Sequence, residues 1–104
     1  TPWQNPDCYS SLHLYVIRLK DKLKNKISHR EFFESMRSEG IGVNLHYIPI
    51  YRQPFFKKFN FNKRDFPESE KYYKEAISIP IYPDLTNADQ DKIVEAIKIK
   101  VNSN

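Results

Sequence analysis

Cysteine and glycine are almost missing from this sequence. Cys8 is the only cysteine, which excludes an internal disulfide and a zinc site built from a cysteine cluster. We expect Cys8 to be a small, partly buried residue in a protein of the reducing cytoplasm. Gly40 and Gly42 are the only glycines, too few for a Gly-rich phosphate loop or a dinucleotide-binding fingerprint. The single tryptophan, Trp3, is expected to fold back onto the domain.

Long hydrophobic runs and a strong excess of one charge are also missing. No uncharged stretch is long enough to span a bilayer, which excludes a transmembrane helix. The 104 residues, enough for one domain, carry 17 basic and 13 acidic side chains, a net charge of +4. This mild excess predicts neither a nucleic-acid nor a membrane partner. One basic cluster, Lys57, Lys58, Lys63 and Arg64, is interpreted as a solvated loop, with an anion site as the alternative.

Hydrophobic periodicity predicts that strands and helices alternate along the chain. Strands are predicted at residues 11–19, 42–50 and 77–81. Helices are predicted to begin at Ser28, at Phe66-Pro67 and after Thr86. This order predicts an α+β domain, a small three-stranded sheet with helices packed on one face. The first strand is apolar on both faces, so we expect a further part of a longer protein to cover its second face.

Local signals predict the helix ends and their buried faces. Ser28 with Glu31, and Thr86 with Asp89, have the spacing of capping boxes. Gly40 suits the left-handed position that ends a helix. The residues predicted to face the core from the first and last helices are Phe32, Phe33, Met36, Ile93, Val94, Ile97 and Val101.

Catalytic and metal-binding motifs are not found in the sequence. The three histidines, His13, His29 and His46, lack the spacing of metal ligands. His13 and His46 approach each other if the first two strands pair, and ordinary hydrogen-bonded histidines are the preferred interpretation there. His29 falls in the first turn of a helix, where a positive charge is unfavourable, so we expect it at the surface.

The segment 40–56, GIGVNLHYIPIYRQPFF, concentrates polar and aromatic side chains directly after a strand. Its candidate substrate-binding residues are His46, Tyr47, Tyr51 and Arg52. Aromatic rings beside an arginine and a histidine suit a sugar or a nucleotide, which needs stacking surfaces and phosphate contacts. The alternative is a rim of packed aromatic side chains without a ligand.

The same segment, together with FPESEKYYKEAISIPIYPDLTNADQDKIVEAI at residues 66–97, resembles the C-terminal small domain of the DegT-type sugar aminotransferases. These are fold-type I enzymes that use pyridoxal 5'-phosphate (PLP) and act on nucleotide-linked keto-sugars. Within the family, NLHYIPIYRQPFF is most similar to the transaminases of the pseudaminic acid pathway. Those enzymes aminate a UDP-linked keto-hexose for surface or spore-coat polysaccharides.

The resemblance implies that residues 1–104 form a single C-terminal small domain that is inactive alone. A large domain before it would supply the lysine that binds PLP, so no catalytic or cofactor-binding residue is expected in this chain. His46 and Tyr47 would reach the rim of the active site and help to position the sugar, and Tyr51 and Arg52 would contact the nucleotide. Glutamate would be the amino donor, and the parent enzyme would be a cytoplasmic homodimer.

A second class of function remains open from the sequence. A stand-alone ferredoxin-like interaction module, or an RNA-binding one, would use aromatic side chains on strands with basic residues beside them. Tyr15 and Tyr47 are the aromatic residues that such a module would use. The RRM signature is absent from the sequence, and the aromatic residues cluster after the second predicted strand instead.

Overall fold

The computed structural model describes residues 2–24 and 26–102. Its helices and strands are, in chain order, β1 (Tyr15–Arg18), α1 (Asp21–Lys24), α2 (His29–Ser38), α3 (Pro67–Glu75), β2 (Ala76–Ile79) and α4 (Asn87–Asn102). Between α2 and α3 lie three short 3-10 helices, Ile50–Arg52, Pro54–Phe59 and Lys63–Asp65. No helix in the described ranges has the length and apolar character needed to cross a bilayer.

The sheet is two-stranded, so the prediction of three strands is wrong. β1 and β2 pair antiparallel, from Tyr15 opposite Ile79 to Arg18 opposite Ala76. The predicted strand at 42–50 contributes one isolated bridge, in which Asn44 and Ser78 exchange both backbone hydrogen bonds, at 3.0 and 2.8 Å. The sheet therefore carries a single residue pair where a third strand was expected.

The neighbouring residues of β2 explain why this ladder stops after one pair. Continuing it in either direction would pair residue 42 with Pro80, or His46 with Ala76. Pro80 has no backbone N–H to donate. The Ala76 N–H already donates to the carbonyl of Tyr72, and the Ala76 carbonyl accepts from His29 Nε2 at 3.0 Å. Both possible extensions are therefore blocked on the β2 side.

The core lies where α2 and α4 pack against the paired residues Ile17 and Ile77. Phe32 and Met36 of α2 are 0% exposed, and Phe33 is half-buried at the margin of the core. The α2 prediction is therefore confirmed.

On α4, Ile93 and Ala96 are buried, and Ile97 and Val101 pack against the cluster. Val94 is 45% exposed, so its predicted burial is wrong. Successive helical residues are about 100° apart around the axis, so Val94 turns away from the face that Ile93 and Ile97 share. Ala96 occupies the position beside them.

The predicted helix ends are confirmed. Ser28 Oγ accepts from the Glu31 N–H while the Glu31 carboxylate accepts from the Ser28 N–H. Thr86 and Asp89 make the same reciprocal pair before α4. Gly40 follows α2 with a φ of +75°, which a side chain at this position would strain. These contacts form within four residues of each other, so sequence spacing alone is enough to predict them.

The segment before β1 differs from the prediction. Strand structure begins only at Tyr15, and the predicted strand residues Leu12 and Leu14 are exposed. Leu12 has a φ of 51°, and its N–H donates to Ser10 Oγ at 3.1 Å, so a local turn replaces extended backbone. Trp3 is 81% exposed and Cys8 is exposed, so the predictions that they pack onto the domain are wrong.

Candidate functional site

A cleft of about 390 Å³ lies between the loop after α2, the end of β2 and the start of α4. Its floor includes Ile41 and Ile93 of the core, and the chain between Ile79 and Tyr82 forms one wall. The polar side chains that line it are His13, Asn44, His46, Ser78, Asp89 and Lys92. A concave site with an apolar floor and a few converging polar groups is typical of small-ligand pockets.

His46 is fixed in this cleft by Ser78. Its Nδ1 is hydrogen-bonded to Ser78 Oγ at 2.7 Å, and Ser78 is only 5% exposed. Ser78 is held by the antiparallel pairing of β2 with β1 on one side and by the Asn44 bridge on the other. Within the described part of the chain, His46 Nε2 has no hydrogen-bond partner. The ring is therefore oriented from inside the fold while its second nitrogen is available to a ligand.

The other two histidines take different positions. His13 lines the same cleft as His46, although the two predicted strands that contain them do not pair with each other. In the described ranges, no group of three or more His, Cys, Asp or Glu side chains is arranged to hold a metal ion. His29 is half-buried, and its Nε2 donates to the Ala76 carbonyl, so its predicted surface position is wrong.

Tyr51 and Arg52 lie in a second pocket, of about 490 Å³, outside the cleft. We call it the lysine pocket, and its lining residues are Tyr51, Arg52, Lys57, Asn60, Phe61 and Lys63. The Tyr51 ring stacks on Phe66, with centroids 4.4 Å apart, and the Arg52 guanidinium lies 5.2 Å from the centre of the Tyr73 ring. Both candidate residues are therefore packed against α3 and the chain that leads into it.

Glu70 of α3 holds these two side chains together. Tyr51 Oη donates to Glu70 Oε1, and Arg52 donates to Oε1 through Nε at 2.8 Å and to Oε2 through Nη2. The hydrogen bond from Tyr51 is the largest cause that lowers the pKa of Glu70. The hydrogen bond from Arg52 and the positive charge of Lys63 lower this pKa further. Partial burial and the bond to Glu70 raise the pKa of Tyr51. The bond to Glu70 also raises the pKa of Arg52.

The four candidate residues thus lie in different places. His46 lines the cleft, Tyr51 and Arg52 line the lysine pocket, and Tyr47 is 67% exposed and lines neither. The RNA-binding alternative needs aromatic residues on one sheet, whereas Tyr15 lies in β1 and Tyr47 lies outside both strands.

The sequence reasoning missed Ser78 and Glu70, which position the candidate side chains. From the sequence, Ser78 is one residue of a predicted strand, and Glu70 is an acidic residue in the first turn of a predicted helix. Neither position indicates a role in the site. Their partners lie 32 and 18–19 residues away in sequence, so no local spacing indicates the contact.

The chain matches known proteins along nearly its whole length. The sequence pattern of the DegT/DnrJ/EryC1/StrS aminotransferase family matches residues 1–98. The spore coat polysaccharide biosynthesis protein SpsC of Bacillus subtilis is 33% identical over 100 residues, which are 94% of this chain and 25% of SpsC.

Two solved structures have the same fold over this region. DesV of S. venezuelae, in complex with a ketimine intermediate, has a TM-score of 0.82 at 21% identity, over 96% of this chain and 25% of DesV. PseC of Helicobacter pylori, an aminotransferase involved in the biosynthesis of pseudoaminic acid, has a TM-score of 0.76 at 26% identity, over 88% of this chain and 24% of PseC.

The chain spans about a quarter of the length of these relatives. The likeness to DesV shows the fold alone at this level of identity. The family pattern, by contrast, extends from the lead-in before β1 through most of α4 and includes both the cleft and the lysine pocket. The chain belongs to the DegT/DnrJ/EryC1/StrS aminotransferase family.

Proposed function

We propose that residues 1–104 are the C-terminal small domain of a PLP-dependent aminotransferase that aminates a nucleotide-linked keto-sugar for a surface or spore-coat polysaccharide. The observation that carries this proposal is the family match over residues 1–98, supported by 33% identity to SpsC. A UDP-linked keto-hexose is the proposed acceptor and glutamate the proposed donor. The complete enzyme is proposed to be a cytoplasmic homodimer.

In this proposal the residues described here do not form a PLP site by themselves. PLP enzymes bind the cofactor through a lysine amine inside a cavity and supply the electron-accepting ring with fixed partners. Apart from Lys100, every lysine whose side chain is described is exposed, and Lys100 is ion-paired with Glu39 at 2.8 Å. Lys92 lines the cleft, and it is also exposed. The cofactor and its lysine therefore belong, in this proposal, to the remaining three quarters of the enzyme.

The proposed role of this domain is to line the substrate entrance. His46 presents Nε2 into the cleft from a ring that Ser78 holds, which suits a hydrogen bond to a sugar hydroxyl or a phosphate oxygen. Tyr47 offers an exposed ring beside it, which suits stacking against the apolar face of a sugar. Tyr51 and Arg52, in the lysine pocket, are proposed to lie toward the nucleotide.

An isotope-transfer assay tests the proposal on the complete protein that contains this chain. The protein is incubated with PLP, ¹⁵N-labelled glutamate and a UDP-linked keto-hexose, and the sugar nucleotide is analysed by mass spectrometry. The expected product carries ¹⁵N in place of the carbonyl oxygen. The free keto-hexose serves as the matched control and should react far more slowly, because binding energy from the remote nucleotide is then lost. Transfer of ¹⁵N to simple keto acids but to no nucleotide-linked sugar would contradict the proposal.

A further inference from the structure

The segment that follows the Asn44 bridge leaves five large apolar side chains in solvent. We call them the phenylalanine surface, and they are Ile48, Ile50, Phe55, Phe59 and Phe61, which are between 45% and 70% exposed. We propose that this surface is an interface between subunits, and that it packs on a different, acidic surface of a second copy of the complete enzyme. The inference rests on the proposed function, because it assigns a contact within the proposed homodimer.

The phenylalanine rings hold one another in place. Phe56 lies 5.2 Å from Phe55 and 6.2 Å from Phe59, measured between ring centroids. Phe59 in turn lies 5.8 Å from Phe61, which lies 5.7 Å from Phe66. The rings therefore form one continuous row, although the 3-10 helix that carries three of them contains no buried residue. Side chains that are already ordered lose little conformational freedom when a partner covers them, which favours binding.

The exposed apolar area of this surface is close to that of one protein interface. At about 200 Å² for a whole aromatic side chain, the exposed parts of Phe55, Phe59 and Phe61 amount to roughly 300 Å². The two isoleucines bring the total close to the apolar share of a standard interface, which buries about 800 Å² per partner and is a little more than half apolar. Two such contacts, related by the two-fold axis of a homodimer, would bury roughly 3,000 Å² in total, which is within the range of permanent homodimers.

The charge around these rings is of one sign. Residues 40–64 contain no aspartate or glutamate, and their basic side chains are Arg52, Lys57, Lys58, Lys63 and Arg64. Arg52 is neutralised by Glu70. The other four are exposed and form no ion pair with any residue that the structure describes. The phenylalanine surface is therefore surrounded by uncompensated positive charge.

This charge argues against packing of one phenylalanine surface on another. The Nζ of Lys58 lies 4.1 Å from the centre of the Phe55 ring and 5.2 Å from that of the Phe59 ring, so one positive charge stands on the surface itself. A two-fold axis through the surface would bring each lysine close to the same lysine of the second copy, which is unfavourable. A different surface that carries carboxylates suits both the rings and the lysines.

A separate apolar surface is available to the large domain of the same subunit. A groove of about 460 Å³ is lined by residues of the segment before β1 and by Tyr15. Trp3, Leu12 and Leu14 in its wall are 81%, 51% and 40% exposed. In the proposed enzyme the large domain precedes these residues, so the groove is the apolar surface that lies nearest to that domain in sequence. The phenylalanine surface follows α2 and is thereby assigned to the second subunit.

Site-specific photo-crosslinking in the complete protein tests the interface. Two copies with different affinity tags are co-expressed, and only one carries a photoreactive benzoylphenylalanine in place of Phe55. The expected product after illumination carries both tags and joins this position to a segment of the second chain other than residues 48–61. The matched control places the same photoreactive residue at Tyr9, which is fully exposed outside the phenylalanine surface, and should give no product with both tags. Crosslinks from the position of Phe55 within one chain only, crosslinks to residues 48–61 of the second chain, or no crosslink would overturn the inference.

Dissociation of the dimer on dilution, followed by analytical ultracentrifugation, tests the charges and the rings. Lys57→Glu with Lys58→Glu should raise the dissociation constant at least about tenfold, because carboxylates would then face carboxylates. Lys20→Glu with Lys74→Glu changes the net charge equally on exposed residues outside the surface, and its effect should stay within about threefold. Phe55→Ser should also raise the dissociation constant at least about tenfold without unfolding the domain, because this ring is 66% exposed. Equal effects of the two lysine pairs, or a native dissociation constant in Phe55→Ser, would contradict the interface.

The two proposals fail in different ways. Amination of a UDP-linked sugar by a protein that crosslinks from the position of Phe55 only within one chain would refute the interface and leave the proposed reaction standing. Crosslinks between two chains in a protein that aminates no sugar nucleotide would refute the reaction and leave the interface standing.

Discussion

Replacing His46 by asparagine and by alanine separates what its ring does inside the fold from what it does in the cleft. Asparagine places an amide group near the position of Nδ1 and keeps the hydrogen bond to Ser78, which is 2.7 Å long in the native chain. Alanine removes that bond and leaves the hydroxyl of a residue that is 5% exposed without its partner. We expect His46→Ala to lower the free energy of unfolding by about 1–2 kcal/mol, and His46→Asn by less than about 0.5 kcal/mol.

Both variants lose Nε2, so both should lose the proposed contact with the substrate. A hydrogen bond to a neutral or a charged group contributes about 0.5–3 kcal/mol, which corresponds to a decrease of about twofold to a hundredfold in kcat/KM. Urea unfolding and kcat/KM for sugar amination are measured on the same preparation of the complete enzyme. Ser78→Ala is the companion variant, and it should lower both quantities because the ring loses its support.

Two results would refute this reasoning. Native kinetics in His46→Asn would show that Nε2 contacts no substrate and that the histidine has only a structural role. Equal destabilisation of His46→Asn and His46→Ala would show that the bond to Ser78 does not account for the stability that His46 provides.

Three further predictions concern the core, the acidic pH range and the cofactor. Met36→Ala should lower the free energy of unfolding by about 2–5 kcal/mol in urea, because the fully buried side chain leaves a cavity, while the exposed Val94→Ala should cost less than about 1 kcal/mol. The lowered pKa of Glu70 means that its charged form stabilises the fold above the ordinary value of 4.5 and that this contribution is lost as pH falls through the lowered pKa. Glu70→Gln should therefore flatten the acid side of a stability–pH profile relative to the exposed Glu68→Gln. The 104-residue chain mixed with PLP and borohydride should not incorporate one pyridoxyl group at a single lysine, and stoichiometric labelling of one lysine would contradict the proposal that the cofactor site lies outside this chain.

The helices α2, α3 and α4 were predictable because their signals are local, whereas α1 was not predicted. The pair Ser28 and Glu31 marks the start of α2 from a spacing of three residues, and Pro67 marks the start of α3. The sheet was not predictable to the same degree, because strand pairing depends on groups that are distant in sequence. One extension of the third strand is blocked at Ala76, whose carbonyl accepts from His29, 47 residues away in sequence. The other is blocked by Pro80, which has no backbone N–H.

The sequence predicted which residues belong to the candidate site, but it did not predict how they are arranged in space. The segment that contains His46 and Arg52 was identified from its density of aromatic and polar residues after an apolar run. That density does not predict that the residues line two different pockets. His46 lines the cleft, whereas Arg52 lies in a 3-10 helix and lines the lysine pocket. Glu70 decides the geometry of Arg52, and its contact forms only when α3 packs beside the 3-10 helices.

The three 3-10 helices between Ile50 and Asp65 contain no buried residue, which has a consequence for local stability. A segment with few buried apolar contacts opens more readily than the core, so its amide hydrogens should exchange with solvent well before those of α2. Surface segments also accept sequence change more easily than packed elements. Substitutions at the exposed positions of this segment should therefore change the free energy of unfolding less than substitutions in the core of α2.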